Sequence, residues 1–150
     1  MNIRWQKFSA LGWLEWRVIL ASLAWLPWCA LALRLQGFQR TRDTFLSRCA
    51  LAQAGTPEGE QLALAQRIAR AVNLAARYGP YRANCLKRSL VLCRQLGRHG
   101  LQHELMLGAA IDNGDFFAHA WVEHAGNVIN DAPDIGERFG TFRPRADCGH

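Results

Sequence analysis

Residues 85–131 read CLKRSLVLCRQLGRHGLQHELMLGAAIDNGDFFAHAWVEHAGNVIND, and this stretch decides the fold of the chain. It opens with apolar residues at helical spacing, so we expect a helix that begins at Cys85 and that Gly100 terminates. Asn84 is a suitable N-cap for this helix. A thiol therefore stands in the first helical turn, where unpaired N–H groups and the positive end of the helix dipole favour a thiolate.

Three short strands are predicted after this helix. Asn113-Gly114 favours a hairpin turn, and Ala125-Gly126 marks a second turn. The predicted strands are residues 102–111, 116–124 and 127–131. Together with the helices before them, they indicate an α+β fold: a helical N-terminal half, followed by the Cys85 helix packed on a small antiparallel sheet.

The first half of the chain is predicted to be helical. Residues 18–33 read VILASLAWLPWCALAL without a charge, within an apolar helical segment of about residues 1–52. This run is short for a membrane span and contains Pro27, so we expect a helix pair, bent or broken near Pro27, that packs in the domain or against a partner. Contact with a membrane surface and cleavage as a signal peptide stay open as alternatives. A further helix, residues 57–78, follows, and residues 1–150 are expected to form a single domain.

The composition limits the class of protein. Half of the 150 residues are hydrophobic, which excludes a disordered chain, and the net charge of +6 comes from scattered Lys and Arg that form no nucleic-acid-binding stripe. Five cysteines without a CxxC motif indicate neither a disulfide framework nor a zinc site. We therefore expect a cytoplasmic protein that binds neither nucleic acid nor a metal ion.

A histidine and an aspartate can complete a thiol site with Cys85. If the second turn is a three-residue loop, 124–126, then His119 lies directly opposite Asp131 on the neighbouring strand. Directly opposed β carbons lie roughly 4.5–5.5 Å apart, which suits a hydrogen bond between carboxylate and imidazole. An imidazole held in this way can take the thiol proton and make the sulfur a strong nucleophile. Cys93 lies on the apolar stripe of the helix and is expected to be a core residue instead.

Each of the three residues also fits a plain structural role. A strand histidine is usually a satisfied core or edge residue, a cysteine near a helix start is usually buried, and an aspartate at a strand end usually forms a turn. From the pattern alone, a thiol site and an ordinary core are therefore both open.

Four short motifs resemble one family of enzymes. They are CLKRSLVL at residues 85–92, Gly100-Leu101 before an apolar strand, AHAWVE at 118–123 and VIND at 128–131. In this order they are similar to the B-type leader peptidases of lasso-peptide biosynthesis, which are transglutaminase-like, papain-like cysteine peptidases. The resemblance is clearest over residues 82–131. The Trp- and Leu-rich N-terminal helices also resemble the stand-alone form of this family.

The resemblance implies a function and a role for each residue. Such proteins cut the leader from a ribosomally made precursor peptide, and a separate ATP-dependent cyclase then closes a macrolactam ring. Carried over, Cys85 is the nucleophile, His119 the general base and later the general acid, and Asp131 the residue that orients His119. No cofactor is implied. Further substrate-binding candidates, which would shape the site, are Arg82, Asn84 and Trp121, although Trp121 fits a plain core position equally well.

Two departures and two alternatives accompany the resemblance. Longer family members carry a leader-recognition domain before the peptidase domain, whereas this sequence starts in the helical segment, which implies a separate recognition protein. Lys87 stands where the family pattern has Pro. A transglutaminase or acyltransferase would use the same three residues but pass the acyl group to an amine. A non-catalytic scaffold of a peptide-maturation complex would use none of them.

Overall fold

The computed structural model of the chain describes residues 11–46 and 57–142. In chain order it contains α1 (Trp13–Leu46), α2 (Glu58–Tyr78), α3 (Cys85–Arg98), β1 (Glu104–Asp112), β2 (Asp115–His124), β3 (Asn127–Val128), α4 (Ile135–Arg138) and β4 (Gly140–Phe142). A helical half is thus followed by a helix and a small antiparallel sheet, and the predicted α+β fold is confirmed. The two ends of the predicted apolar segment, residues 1–10 and 47–52, lie outside the described residues.

The helix α1 runs without a break through Pro27, so the predicted break at that proline is wrong. Pro27 lies on the exposed side of α1, where water can satisfy the carbonyl that loses its partner. The interruption falls ten residues later, at Gly37, whose φ of 78° and ψ of 174° are non-helical. Only glycine takes such a conformation at little cost. The Thr41 hydroxyl donates a hydrogen bond to the Gly37 carbonyl at 2.9 Å, which pairs this carbonyl at the interruption.

One face of α1 exposes large apolar side chains. They recur at three- and four-residue steps or their sums, so that they share a single side of the helix. These residues are Trp13, Trp16, Leu20, Trp28, Leu31 and Leu35. By length and composition alone, α1 is also the one helix in the described residues that could cross a membrane. Contact with a membrane surface stays a prediction.

The three long helices and one face of the sheet share an apolar core. Leu26 of α1, Val72 of α2 and Leu90 of α3 are buried there with Leu105 and Val122 of the sheet. The core therefore joins the N-terminal half to the segment that carries the candidate site.

Two polar contacts hold the helices together at the margin of this core. The Arg67 Nε atom lies 2.6 Å from Glu15 Oε1 and links α2 to α1. The Arg94 guanidinium lies 3.6 Å from the centre of the Trp25 ring, a cation–π contact between α3 and α1. Both contacts fix α1 against the helices that flank the site.

The sheet has the strand order β3-β2-β1-β4, and all neighbouring strands are antiparallel. Its first hairpin turns at Asn113 and Gly114, with φ values of 51° and 90°. Two left-handed residues form the tight turn that matches the twist of a hairpin, as the sequence predicted. The register of this hairpin places Gly108 of β1 beside His119 of β2.

The second hairpin has a two-residue turn, so the predicted three-residue loop is wrong. Ala125 and Gly126 both have positive φ, and His124 pairs with Asn127 across them. The Asn127 side chain donates to the Ala125 carbonyl at 3.1 Å and supports this turn. The ladder is therefore displaced by one residue from the prediction, and β3 ends at Val128 rather than at residue 131.

The chain returns to the sheet after this hairpin, through two elements that the sequence did not predict. The short helix α4 covers the second face of the sheet, where Ile135 packs with Met106 and Trp121. The strand β4 then pairs with β1 and widens the sheet to four strands. These elements bring Phe139 against the same cluster.

Gly108 offers a test of this packing. A β carbon there would lie 2.7 Å from Phe139 Cβ and 2.9 Å from the Trp121 ring. We expect Gly108→Ala to lower the free energy of unfolding by about 1–3 kcal/mol, because a backbone-anchored atom and a fully buried ring must both move. The urea midpoint at constant m-value measures this change.

Gly140→Ala is the matched control, because its added β carbon would lie 3.5 Å from the Ala109 carbonyl, an ordinary contact. Equal midpoints for the two variants would contradict the close approach at Gly108.

Candidate active site

Cys85 is the first residue of α3 and is half-buried. The Asn84 side chain accepts a hydrogen bond from the Lys87 N–H at 3.1 Å, so the predicted N-cap is present. The N–H groups of Cys85 and Leu86 belong to the first turn and have no carbonyl of a preceding turn to bind. Unpaired N–H groups of this kind can stabilise an oxyanion.

A buried polar network holds this helix end to the sheet. The Ser89 hydroxyl donates to the Ala120 carbonyl at 3.1 Å, and the Asn130 side chain donates to the Ser89 oxygen at 3.1 Å. Asn130 Oδ1 in turn accepts from the Val122 N–H at 2.8 Å. Ser89 lies one helical turn after Cys85 and therefore on the same face of α3.

The network joins the chain neighbours of His119 and Asp131 to a residue one helical turn after Cys85. Ala120 follows His119 and Asn130 precedes Asp131, while Ser89 shares the helix face of Cys85. Helix, strand and loop are thereby fixed to one another beside the candidate site.

His119 and Asp131 are in direct contact. His119 Nε2 lies 2.7 Å from Asp131 Oδ2, and Asp131 Oδ1 accepts from the Ala132 N–H at 2.8 Å. Arg88 Nη2 reaches the same carboxylate at 3.4 Å, and Arg88 lies three residues after Cys85 on α3. The carboxylate is thus held from β2, from its own loop and from the helix that carries the thiol.

This contact forms although the predicted ladder is wrong. The Ile129 N–H still donates to the Val122 carbonyl at 3.1 Å, but the Val122 N–H is taken by the side chain of Asn130 instead of a backbone carbonyl. The chain therefore bends out of the ladder at residues 130–131. The bend, rather than a continued strand, brings Asp131 to His119.

The contact also decides which imidazole nitrogen can act as a base. A carboxylate only accepts hydrogen bonds, so Nε2 of His119 carries the proton that Asp131 holds. Nδ1 is then the nitrogen with a free lone pair, and it is the atom that can take a thiol proton.

Two aromatic rings restrain the His119 imidazole. The Phe139 ring is stacked at 5.2 Å between centroids, and the Trp121 ring lies at 6.2 Å with planes 25° apart. Sequence reasoning missed Phe139, because the residues after 131 carry no clear periodic pattern.

The further substrate-binding candidates occupy different places. Arg82 and Asn84 are exposed in the connector before α3, and Asn84 is the helix cap. Trp121 is fully buried, and its indole N–H donates to Glu123 Oε1 at 3.0 Å. Trp121 therefore packs beneath the site rather than facing a substrate.

Cys85 shares a face of α3 with Arg88 and Ser89. Within residues 11–46 and 57–142, no hydrogen bond joins its sulfur to His119. Catalytic hydrogen bonds are often long in a resting enzyme and tighten when substrate binds. Its helix-face neighbours Arg88 and Ser89 contact Asp131 and the carbonyl next to His119, so the thiol lies on the side of α3 that faces the pair.

The other described thiols are unsuited to nucleophilic chemistry. Burial raises the pKa of Cys29 to about 12, although the Lys87 charge lowers it in part. Burial likewise raises the pKa of Cys93, which is fully enclosed in the core as predicted. Across the described part of the chain, no group of three or more His, Cys, Asp or Glu side chains is placed to hold a metal ion.

The surroundings of Asp131 predict an acid-dependent stability. Partial burial raises its pKa, but the hydrogen bonds from His119 and the Ala132 N–H, with the charges of His119 and Arg88, outweigh burial and leave the pKa below its usual value. Because the pKa of Asp131 is lower in the folded protein than in the unfolded chain, its carboxylate stabilises the fold at pH values above the unfolded-state pKa. This contribution to stability is lost as the pH falls through the folded-state pKa. Asp131→Asn removes the titrating group, so at neutral pH we expect it to cost about 1–3 kcal/mol of unfolding free energy.

Urea titrations at neutral pH and at a pH of about 3, below the ordinary pKa of aspartate, measure this linkage. The difference in unfolding free energy between the wild type and Asp131→Asn should shrink in acid. The control variant Asp134→Asn, at an exposed position, should show the same dependence of stability on pH as the wild type. An advantage that stays constant from neutral to acid pH would show that the charge of Asp131 is not stabilised in the fold.

Comparisons with known proteins identify a family and one similar protein. The family model described as the transglutaminase-like superfamily matches residues 23–143, which include all three predicted catalytic residues. The microcin J25-processing protein McjB of Escherichia coli is 34% identical over 59 residues, 39% of this chain and 27% of that protein. The similar region thus spans about a quarter of the length of that relative. No solved structure gives a significant match.

The family match covers most of the chain, from the middle of α1 to the end of the sheet. It agrees with the family that the sequence motifs resemble and with the α+β architecture. The chain belongs to the transglutaminase-like superfamily.

Proposed function

We propose that this protein is a cysteine peptidase that removes the leader from a ribosomally synthesised lasso-peptide precursor. The observation that carries the proposal is the His119–Asp131 pair, held at 2.7 Å against the helix that begins with Cys85. A thiol in the first helical turn and an imidazole oriented by a carboxylate are the groups that acyl transfer requires. The similarity to a microcin J25-processing protein supports a peptide as the substrate.

The proposed reaction proceeds by two acyl transfers. His119 Nδ1 takes the thiol proton, and the Cys85 sulfur attacks the scissile carbonyl while the first-turn N–H groups of α3 hold the oxyanion. His119 then donates the proton to the departing amine, which leaves as the new N-terminus of the core peptide. Water, deprotonated by His119, attacks the thioester, releases the leader carboxylate and restores the thiol. Asp131 holds the imidazole through both steps.

The proposed partners follow from the proposed role in lasso-peptide biosynthesis. We infer a separate leader-recognition protein and, after cleavage, an ATP-dependent macrolactam cyclase that uses the freed amine. We also infer a cytoplasmic location, in which Cys85 stays reduced; the described cysteines Cys29, Cys85 and Cys93 are all free thiols.

A transglutaminase or acyltransferase activity is the second candidate. The superfamily name favours it, and the acyl-enzyme is the same in both reactions. The two differ in the acceptor: hydrolysis yields a leader with a free carboxylate, whereas transfer yields a leader joined to an amine.

Cys85→Ala tests the catalytic assignment. We expect it to reduce cleavage of a candidate precursor, in the presence of a recognition protein, by at least about 10³-fold, because no other group at the site can form the thioester. Mass spectrometry of both fragments measures the rate and distinguishes a free carboxylate from an amide-linked leader.

Cys93→Ala is the matched control: it removes a thiol from the same helix but from a fully buried position, so cleavage should persist while the urea midpoint falls. Cleavage by Cys85→Ala at the wild-type rate would refute the assignment and favour the scaffold role.

The partner requirement has its own test. Cleavage by this chain alone should be slow and should rise when the recognition protein is added, because tethering the leader raises the effective concentration of the scissile bond. Initial rates at a precursor concentration below saturation, with and without the recognition protein, measure the effect. Equal rates would contradict a divided system.

A further inference from the structure

An open cleft of about 640 Å³ lies beside Asp131, between one face of α2 and the segment that follows β3. The α2 residues that line it share a helical face, at steps of three and four residues. They are Gln66, Arg70, Asn73, Leu74, Arg77 and Tyr78. The opposite wall consists of residues 129–131, so the cleft reaches the carboxylate that holds His119.

We propose that this cleft binds an acidic, extended segment of the peptide substrate. The inference rests on the proposed peptidase function and adds a class of substrate residues that the site selects. Arg70 and Arg77 are exposed, two helical turns apart, and within the described residues no carboxylate lies at ion-pair distance from either. Asp131 does not neutralise them, because its oxygens are already taken by His119, Arg88 and the Ala132 N–H.

The floor of the cleft offers the other contacts that a peptide needs. Asn73 Oδ1 is buried and has no hydrogen-bond partner in the described structure, whereas its Nδ2 donates to the Asn130 carbonyl at 3.4 Å. An unpaired buried acceptor suits a backbone N–H of a bound chain. Leu74 and Ile129 supply apolar surface to the lining of the cleft.

The length of the cleft suits a short peptide. Gln66 to Tyr78 spans twelve residues of helix, about 18 Å at 1.5 Å per residue. An extended chain covers that distance with about five residues. Because Asp131 lines the cleft, a segment held there lies beside the His119–Asp131 pair.

A pair of model peptides tests the proposal without any cleavage. One peptide alternates glutamates with leucines, and the second replaces each glutamate by glutamine. We expect calorimetry on the full chain at low salt to give about tenfold tighter binding of the acidic peptide, with a preference that weakens as salt screens it. The double variant Arg70→Gln/Arg77→Gln should lose this preference.

The double variant Arg17→Gln/Arg34→Gln, with the same change in net charge on exposed positions of α1, is the control and should keep the preference. Equal binding of the acidic peptide to both double variants, or no preference in the wild type, would overturn the proposal. Because binding is measured without turnover, an acidic preference in a chain that cleaves no leader would refute only the peptidase function. Cleavage without that preference would refute only the cleft.

Discussion

The side chain of Asn130 is the contact on which the arrangement of the site depends. Its Oδ1 accepts from the buried Val122 N–H, and its Nδ2 donates to Ser89 of α3. In a regular hairpin a backbone carbonyl would satisfy Val122; here a side chain does so, and the backbone is free to bend. Without this amide the buried N–H would be left unpaired, at a cost of about 1–3 kcal/mol. One polar side chain thus ends the ladder, docks the thiol helix and turns the chain toward His119.

Ending the ladder in this way makes the His119–Asp131 contact independent of the register of the hairpin. If the strand continued to Asp131, the register would decide where the carboxylate points. A register shift of one residue would move it from the side of His119 to the other side of the sheet. Asp131 instead follows a bend and is held by three independent groups: His119, Arg88 and the Ala132 N–H. Phe139 and Trp121 stack on the imidazole and so restrain the plane of the ring, whereas Asp131 binds a nitrogen at its edge. The tautomer and the ring orientation of His119 are therefore restrained by separate parts of the chain.

Local signals in the sequence predicted the elements that depend on neighbouring residues. The Asn84 cap, the helix that begins at Cys85 and the turn at residues 113–114 need only short-range chemistry, and all three are present. The bend at Gly37 and the role of Asn130 were missed, because each depends on which groups are buried by distant segments. The length of the turn at 125–126 was also mispredicted, although it is a local feature. Ala125 adopts a left-handed conformation, which alanine rarely does, so its residue type did not indicate a two-residue turn. The His–Asp contact was predicted from a register that proved wrong, so its presence reflects tertiary packing rather than the predicted pairing.

The three described thiols show how the fold separates chemistry from packing. Cys29 and Cys93 sit in the core, where removal from water disfavours the anion and raises the pKa of each. Cys85 has the same side chain but is the first residue of α3 and is only half-buried. Since a thiolate is the species that attacks a carbonyl, the environment rather than the residue type favours Cys85 as the proposed nucleophile. Cys93 lies eight residues further along the same helix, about two turns of α3 away. The start of α3 lies at the candidate site, whereas the turn that carries Cys93 is enclosed by α1, α2 and the sheet.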